Sequence, residues 1–174
     1  VLILYLYEKF GEESLKYLEG DFAFVILNKK SREIFCARDQ MGVKPFFYYL
    51  EEDLFIFSSE KKGILAIEQV NKEINENFVL QLMADVEPEL NETFHKKIYS
   101  LLPANQMKVT KNTSSVTCYW KLELPPILKL KNEQEYVSAF REELKRAVKV
   151  RLRSVFPIGS QLSGGLDSSA ITGI

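Results

Sequence analysis

Two adjacent prolines, Pro125 and Pro126, constrain this 174-residue chain more than any other feature. Neither can donate a backbone hydrogen bond, and their fixed φ can neither continue a helix nor sit in an inner strand. A boundary therefore falls at Leu124-Pro125-Pro126-Ile127. Upstream lie short β-rich runs with helical patches between them. Downstream lie one long helical pattern and a glycine-rich loop. The reading is an α+β chain with one domain portion over 1–123, a linker over 124–132 and the opening of a second domain over 133–174.

In the first portion, Leu2, Leu4 and Leu6 open an apolar stretch that ends in Glu8-Lys9-Phe10-Gly11, the pattern of a helix closed by glycine. A second short helix is expected from Glu12 to Leu18. Phe22 to Leu27, Glu33 to Ala37, Pro45 to Tyr49 and Leu54 to Phe57 are four β-rich runs separated by polar or glycine turns, and their spacing predicts an antiparallel meander. Ser59 is placed to cap a helical turn through Leu65, and Asn75 to cap another reaching about Ala84. Gln106 to Lys111 and Val116 to Trp120 read as a closing hairpin around Asn112-Thr113-Ser114.

Beyond the prolines, Asn132 and Glu135 have capping-box spacing, and Tyr136, Phe140, Leu144, Val148 and Leu152 recur every four residues. Glu133 and Glu135 in the first turn and Lys149, Arg151 and Arg153 near the last suit the helix dipole, with Pro157 as the stop. Ile158-Gly159-Ser160-Gln161-Leu162 then reads as a buried strand running into Ser163-Gly164-Gly165-Leu166-Asp167-Ser168-Ser169. Two small glycines let backbone amides approach an anion, serines add hydroxyl donors, and Ser-Ser-Ala-Ile opens a helix whose positive end faces the same point. No Lys-Ser or Lys-Thr follows the last glycine, so the lysine grip of a Walker loop is missing. Asp167 offers a carboxylate, the natural ligand for a magnesium ion that shares phosphate oxygens. Such a set favours cleavage of ATP between its first and second phosphates.

Charge and composition exclude several classes. A formal net charge of −1 and a pI near 6.0 provide no global field to draw the chain onto nucleic acid or an anionic membrane. The basic face of the long helix is read as solvated surface, since aromatic stacking partners are not interleaved with it. No apolar run nears the roughly 18 residues of a membrane span, and no secretory leader pattern opens the chain, so a cytoplasmic location is expected. Cys36 and Cys118 are read as separate apolar thiols rather than a disulfide. His95 is the only histidine, which leaves no histidine cluster for zinc or a relay. With no Met at residue 1, the chain is expected to begin inside a domain.

The Ser163 to Ser169 string resembles the signature of the PP-loop ATP pyrophosphatases, SGG-x-DS after a first parallel strand. A longer ordered series stands upstream: Glu19-Gly20-Asp21-Phe22-Ala23-Phe24, then Arg38-Asp39-Gln40-Met41-Gly42-Val43-Lys44-Pro45-Phe46-Phe47-Tyr48, then Ser59-Glu60-Lys61. Thr93-Phe94, Ile98, Leu102-Pro103-Ala104 and Tyr119-Trp120 complete it. The series resembles the class II glutamine amidotransferase domain fused to asparagine synthetase.

The resemblance implies a partial Ntn-hydrolase-type antiparallel sheet with helices, followed by the first helix, strand and loop of an adenine nucleotide hydrolase-like domain. It implies ATP and Mg2+, with Ser163, Gly164, Gly165, Ser168 and Ser169 on the pyrophosphate. Leu162 and Leu166 would lie beside the nucleotide and Asp167 on the metal. Its substrates would be ATP, aspartate, and glutamine or ammonia. In such enzymes, ammonia from glutamine amidates an aspartate carboxylate that ATP has adenylated. No nucleic acid or membrane partner is expected, and an open sheet edge would allow a homodimer.

That family begins with a cysteine nucleophile followed by substrate-holding arginine, asparagine, glycine and aspartate residues, none of which can be placed here. Residue 1 is Val, and neither Cys36 nor Cys118 carries a free α-amine, so no glutaminase residue is assigned. The chain is accordingly expected to be a portion truncated at both ends and inactive alone. Two other readings stand beside this one: a β-lactam synthetase or peptide-cyclising relative that uses an internal amine, and a non-catalytic interaction module. For Arg38, Asp39 and Lys44, a turn-building role is favoured over direct catalysis.

Overall fold

The computed structural model describes residues 2–51 and 53–174, which fall into two compact units, Val1–Glu123 and Leu124–Ile174. In the first, α1 (Leu2–Phe10) is a helix, and Gly11 ends it at φ +58°, a backbone state that favours glycine. A 3-10 stretch, Gly11–Tyr17, follows. Ile3, Leu6 and Tyr7, spaced i, i+3 and i+4, place one stripe of α1 on the core.

The strands are β1 (Ala23–Asn28), β2 (Glu33–Arg38), β3 (Phe47–Glu51), β4 (Leu54–Ser58), β5 (Ile98–Ser100), β6 (Asn105–Val109) and β7 (Ser114–Cys118). They do not form the expected meander. They split into two antiparallel sheets, ordered β1-β2-β6-β7 and β4-β3-β5. After the β1-β2 hairpin, the second edge of β2 pairs with β6, Cys36 opposite Met107, rather than with β3. The β3-β4 hairpin instead pairs through β3 with β5, Tyr49 opposite Ile98. Residues 39 to 46 between β2 and β3 are too many for a tight hairpin and carry the chain from one sheet to the other.

Strict alternation along each strand explains the layering. In β2, Phe35 and Ala37 join Leu15, Leu18 and Ile26 under α1, while Ile34 and Cys36 turn to the opposite face. In β3, Tyr48 and Leu50 meet that second cluster, and Phe47 and Tyr49 turn away to Ile64, Val70 and Ile98. Three apolar clusters therefore separate four layers: α1 with its 3-10 turn, two sheets face to face, and α2 (Lys61–Leu65). A slip of one residue in β2 or β3 would exchange its two faces, stranding side chains whose burial is worth about 1.5–3 kcal/mol each. This arrangement of helices on antiparallel sheets agrees with the α+β, Ntn-type class expected for the segment.

Asn75 caps α3 (Glu76–Met83), its Oδ1 accepting the Phe78 amide at 3.3 Å. Ser59 does not cap α2. Glu60 holds that position without a side-chain cap, and its amide donates to Ser58 Oγ at 3.2 Å. Gly63 packs so closely on Ser58 that a Cβ there would stand 2.6 Å from that oxygen.

The second unit contains α4 (Glu133–Arg151) and α5 (Leu166–Thr172). Asn132 Oδ1 accepts the Glu135 amide at 3.0 Å, and Glu135 Oε2 accepts the Lys131 amide at 3.0 Å. The expected box thus forms with its return bond one residue earlier than usual. Tyr136 adds a polar role to its place in the apolar stripe: its hydroxyl donates to the Leu128 carbonyl at 3.1 Å and accepts from the Leu130 amide at 3.0 Å. The helix stops at Arg151, capped by Leu152, well before Pro157, so the proline does not end it. Ile158 to Leu162 lies in no strand, and Leu162 is 62% exposed rather than buried. A parallel strand is defined by its neighbours, and none pairs with this run among the described residues. No described helix is long and apolar enough to cross a membrane.

Candidate functional site

The eight residues singled out for nucleotide binding are contiguous and occupy the entry to α5. Leu162 and Ser163 precede the turn, Gly164 makes it at φ +80°, and Gly165 is the N-cap with φ −75° and ψ 162°. Leu166, Asp167, Ser168 and Ser169 form the first turn of the helix. A Cβ at Gly164 would meet nothing within 4 Å, so glycine is needed there for its φ, and the space beside it is open. Gly165 has no side-chain cap to give, and the amides of Leu166, Asp167 and Ser168, the first three helical residues, have no carbonyl one turn back to receive them.

The loop's hydroxyls hold its shape. Ser163 Oγ lies 2.9 Å from Ser168 Oγ and accepts the Gly165 amide at 3.4 Å, while Ser168 Oγ donates to the Gly165 carbonyl at 3.2 Å. Ser169 donates its amide to the same carbonyl at 3.1 Å. Ser160 Oγ and Thr172 Oγ1, 2.8 Å apart, tie the approach segment to the far end of α5. Leu166 is 91% exposed, so the structure brings it next to the loop without packing it.

Asp167 belongs to no group of three or more His, Cys, Asp or Glu side chains able to hold a metal among the described residues. That fits magnesium, which takes one or two carboxylates and completes its octahedron with phosphate oxygens and water. It does not fit zinc, which takes four nitrogen or sulfur ligands in a structural site. A groove of about 470 Å3 in the same unit runs beside α4 and α5, lined in part by Leu144, Val148, Ile158 and Ile171, and none of the eight loop residues lines it.

In the first unit, Arg38 and Asp39 build a turn between the sheets. The guanidinium donates from Nε to the Lys44 carbonyl (2.8 Å), from Nη1 to the Leu101 carbonyl (2.6 Å) and to Ser100 Oγ (3.2 Å), and from Nη2 to the Gly42 carbonyl (2.7 Å). Asp39 is 1% exposed, and its carboxylate accepts the amides of Met41 (3.2 Å), Val43 (2.8 Å) and Lys44 (2.9 Å). Burial pushes its pKa up, but the amides of Lys44, Val43, Met41 and Phe22 more than offset that and hold it below the usual carboxylate value. Gly42, at φ +65°, leaves so little room that a Cβ would lie 2.7 Å from Pro103 Cγ.

Tyr119 donates its hydroxyl to the Arg38 carbonyl at 2.8 Å. Together the Arg38 and Asp39 bonds tie the turn over residues 39–44 to Ser100 at the end of β5 and to Leu101 just after it, the geometry of a turn-building pair. Lys44 and Pro45 at the end of this turn, with Asp21, Ser58 and Ser59, line a cleft of about 510 Å3 beside β1 and β4. The sequence pointed to Arg38, Asp39 and Leu102-Pro103-Ala104 separately. It gave no sign that Ser100 and Leu101 receive the guanidinium, because a carbonyl acceptor has no sequence signature.

Cys36 is fully buried, and burial pushes its thiol up to about 12, so it is inert. Cys118 is exposed and unpaired with it.

Comparison with known proteins adds the following. Residues 1–120 match the family model described as a glutamine amidotransferase domain, and residues 139–174 match the asparagine synthase model. A Methanocaldococcus jannaschii protein with the provisional name asparagine synthetase (glutamine-hydrolyzing) 2 is 38% identical over 175 residues, covering 99% of this chain and 34% of its own length. Asparagine synthetase (glutamine-hydrolyzing) 3 of Bacillus subtilis is 33% identical over 174 residues, 99% of this chain and 28% of its own. A Gibberella zeae protein named amidase chry2 is 28% identical over 177 residues, 99% of this chain and 26% of its own. The chain thus spans about a third or less of the length of these relatives.

Proposed function

From its membership of the glutamine amidotransferase domain family, whose model covers residues 1–120, we propose that the protein takes part in glutamine-dependent asparagine synthesis in the cytoplasm. Residues 1–123 would be the amidotransferase portion, 124–132 the linker, and 133–174 part of a PP-loop ATP-binding domain. The observation that carries the reading is the order of two family matches on one chain, with the Ser163–Ser169 loop inside the second.

In the proposed reaction, the side-chain carboxylate of aspartate attacks the α-phosphorus of ATP and pyrophosphate leaves. Ammonia released from glutamine then adds to the activated acyl carbon and AMP departs, leaving asparagine. Adenylation turns a poor leaving group into a good one, and the protein's task is to hold and neutralise the departing pyrophosphate. Amides of Gly164 and the first residues of α5 would face its oxygens, while the Gly165 amide and the Ser163 and Ser168 hydroxyls would exchange their bonds within the loop for bonds to pyrophosphate, with Ser169 adding a hydroxyl. The loop's internal hydroxyl bonds hold its backbone in shape before ligand arrives, and binding would replace them with bonds to phosphate oxygens. Leu162 and Leu166 would lie beside the nucleotide. Asp167 would hold the magnesium ion, which when bound supplies positive charge at the phosphate oxygens.

The test is pyrophosphate release from ATP in the presence of aspartate, measured for the full-length wild-type protein that contains this chain and for its Asp167→Ala variant. Removal of the ligating carboxylate should lower the rate about 100-fold or more while the melting temperature holds. Relatives named amidase match the same residues, so other carboxylic acids are run beside aspartate. Release that depends on another acid and not on aspartate would move the acceptor assignment. No release with any acid would remove the reading.

A further inference from the structure

We draw no further inference here: the strongest candidate, the cleft beside β1 and β4 rimmed by Asp21, Lys44, Ser58 and Ser59, carries none because nothing in the structure shows what covers it.

Discussion

Replacing Asp39 with asparagine keeps the side chain's size and removes its charge, and the geometry dictates the cost. Oδ1 accepts from Met41 and Val43 while Oδ2 accepts from Lys44, so both oxygens are needed as acceptors. An amide has one oxygen and one NH2 group. Whichever way it turns, an N–H of the side chain must face at least one backbone N–H. A buried hydrogen bond to a charged group contributes about 1.5–3 kcal/mol, and a stranded buried donor costs about 1–3 kcal/mol, so the substitution should destabilise the first unit by roughly 3–5 kcal/mol.

That is a large share of the roughly 5–15 kcal/mol that holds a typical domain together. For a unit of this size the melting temperature should fall by roughly 10 °C or more, read by calorimetry, with Glu68→Gln at an exposed position as the control. The sign of the pH dependence is fixed as well. The folded pKa of Asp39 lies below the unfolded value of about 3.9, so its contribution is complete above that value and drains away as pH falls through the folded one. Asp39→Asn should therefore lose stability at neutral pH and show a shallower acid limb than wild type. A melting temperature within about 2 °C of wild type at pH 7 would refute the reasoning, since the three amides would then have no need of a carboxylate.

The same turn makes a second test available. Gly42→Ala must place a Cβ against Pro103 at φ +65°, and should cost about 1–2 kcal/mol for the left-handed backbone plus a further 1–3 kcal/mol for the overlap, seen as a drop in urea midpoint. Tyr119→Phe removes one hydroxyl bond to the Arg38 carbonyl and should cost about 0.5–1.5 kcal/mol in the same titration. With an aromatic thiol reagent, the native protein should yield one rapidly reacting thiol, Cys118. Cys36 should react only once urea unfolds the sheets, and rapid labelling of both in the native state would contradict the burial.

Local chemistry was legible in the sequence at several helix ends, though not at Ser59, which does not cap α2, or at Pro157, which lies beyond the end of α4. Asn75 and Asn132 cap the helices they were expected to cap, and Gly11 takes the positive φ that ends α1. The first four β-rich runs are strands, and the closing hairpin forms. What was hidden is long-range. Which sheet a hairpin joins depends on partners such as Met107 for Cys36 and Ile98 for Tyr49, far along the chain. The strand β5 is three residues long, too short for an alternating pattern to register.

Ile158 to Leu162 reads as a strand from its place before the loop, yet only Ile158 is β-branched, Gly159 disfavours a strand, and no neighbour pairs with the run among the described residues. At the loop, the glycines and serines announced themselves. The bond between Ser163 and Ser168 that shapes the turn did not, because hydroxyl pairing follows from the fold rather than from spacing.

The most direct test of the account is an isotope experiment on the protein as the cell makes it. Supplied with ATP, magnesium, aspartate and glutamine labelled with 15N in its side-chain amide, it should form AMP, pyrophosphate and 15N-asparagine in equal amounts. Formation of ADP and phosphate, or of no labelled asparagine while pyrophosphate accumulates, would contradict it.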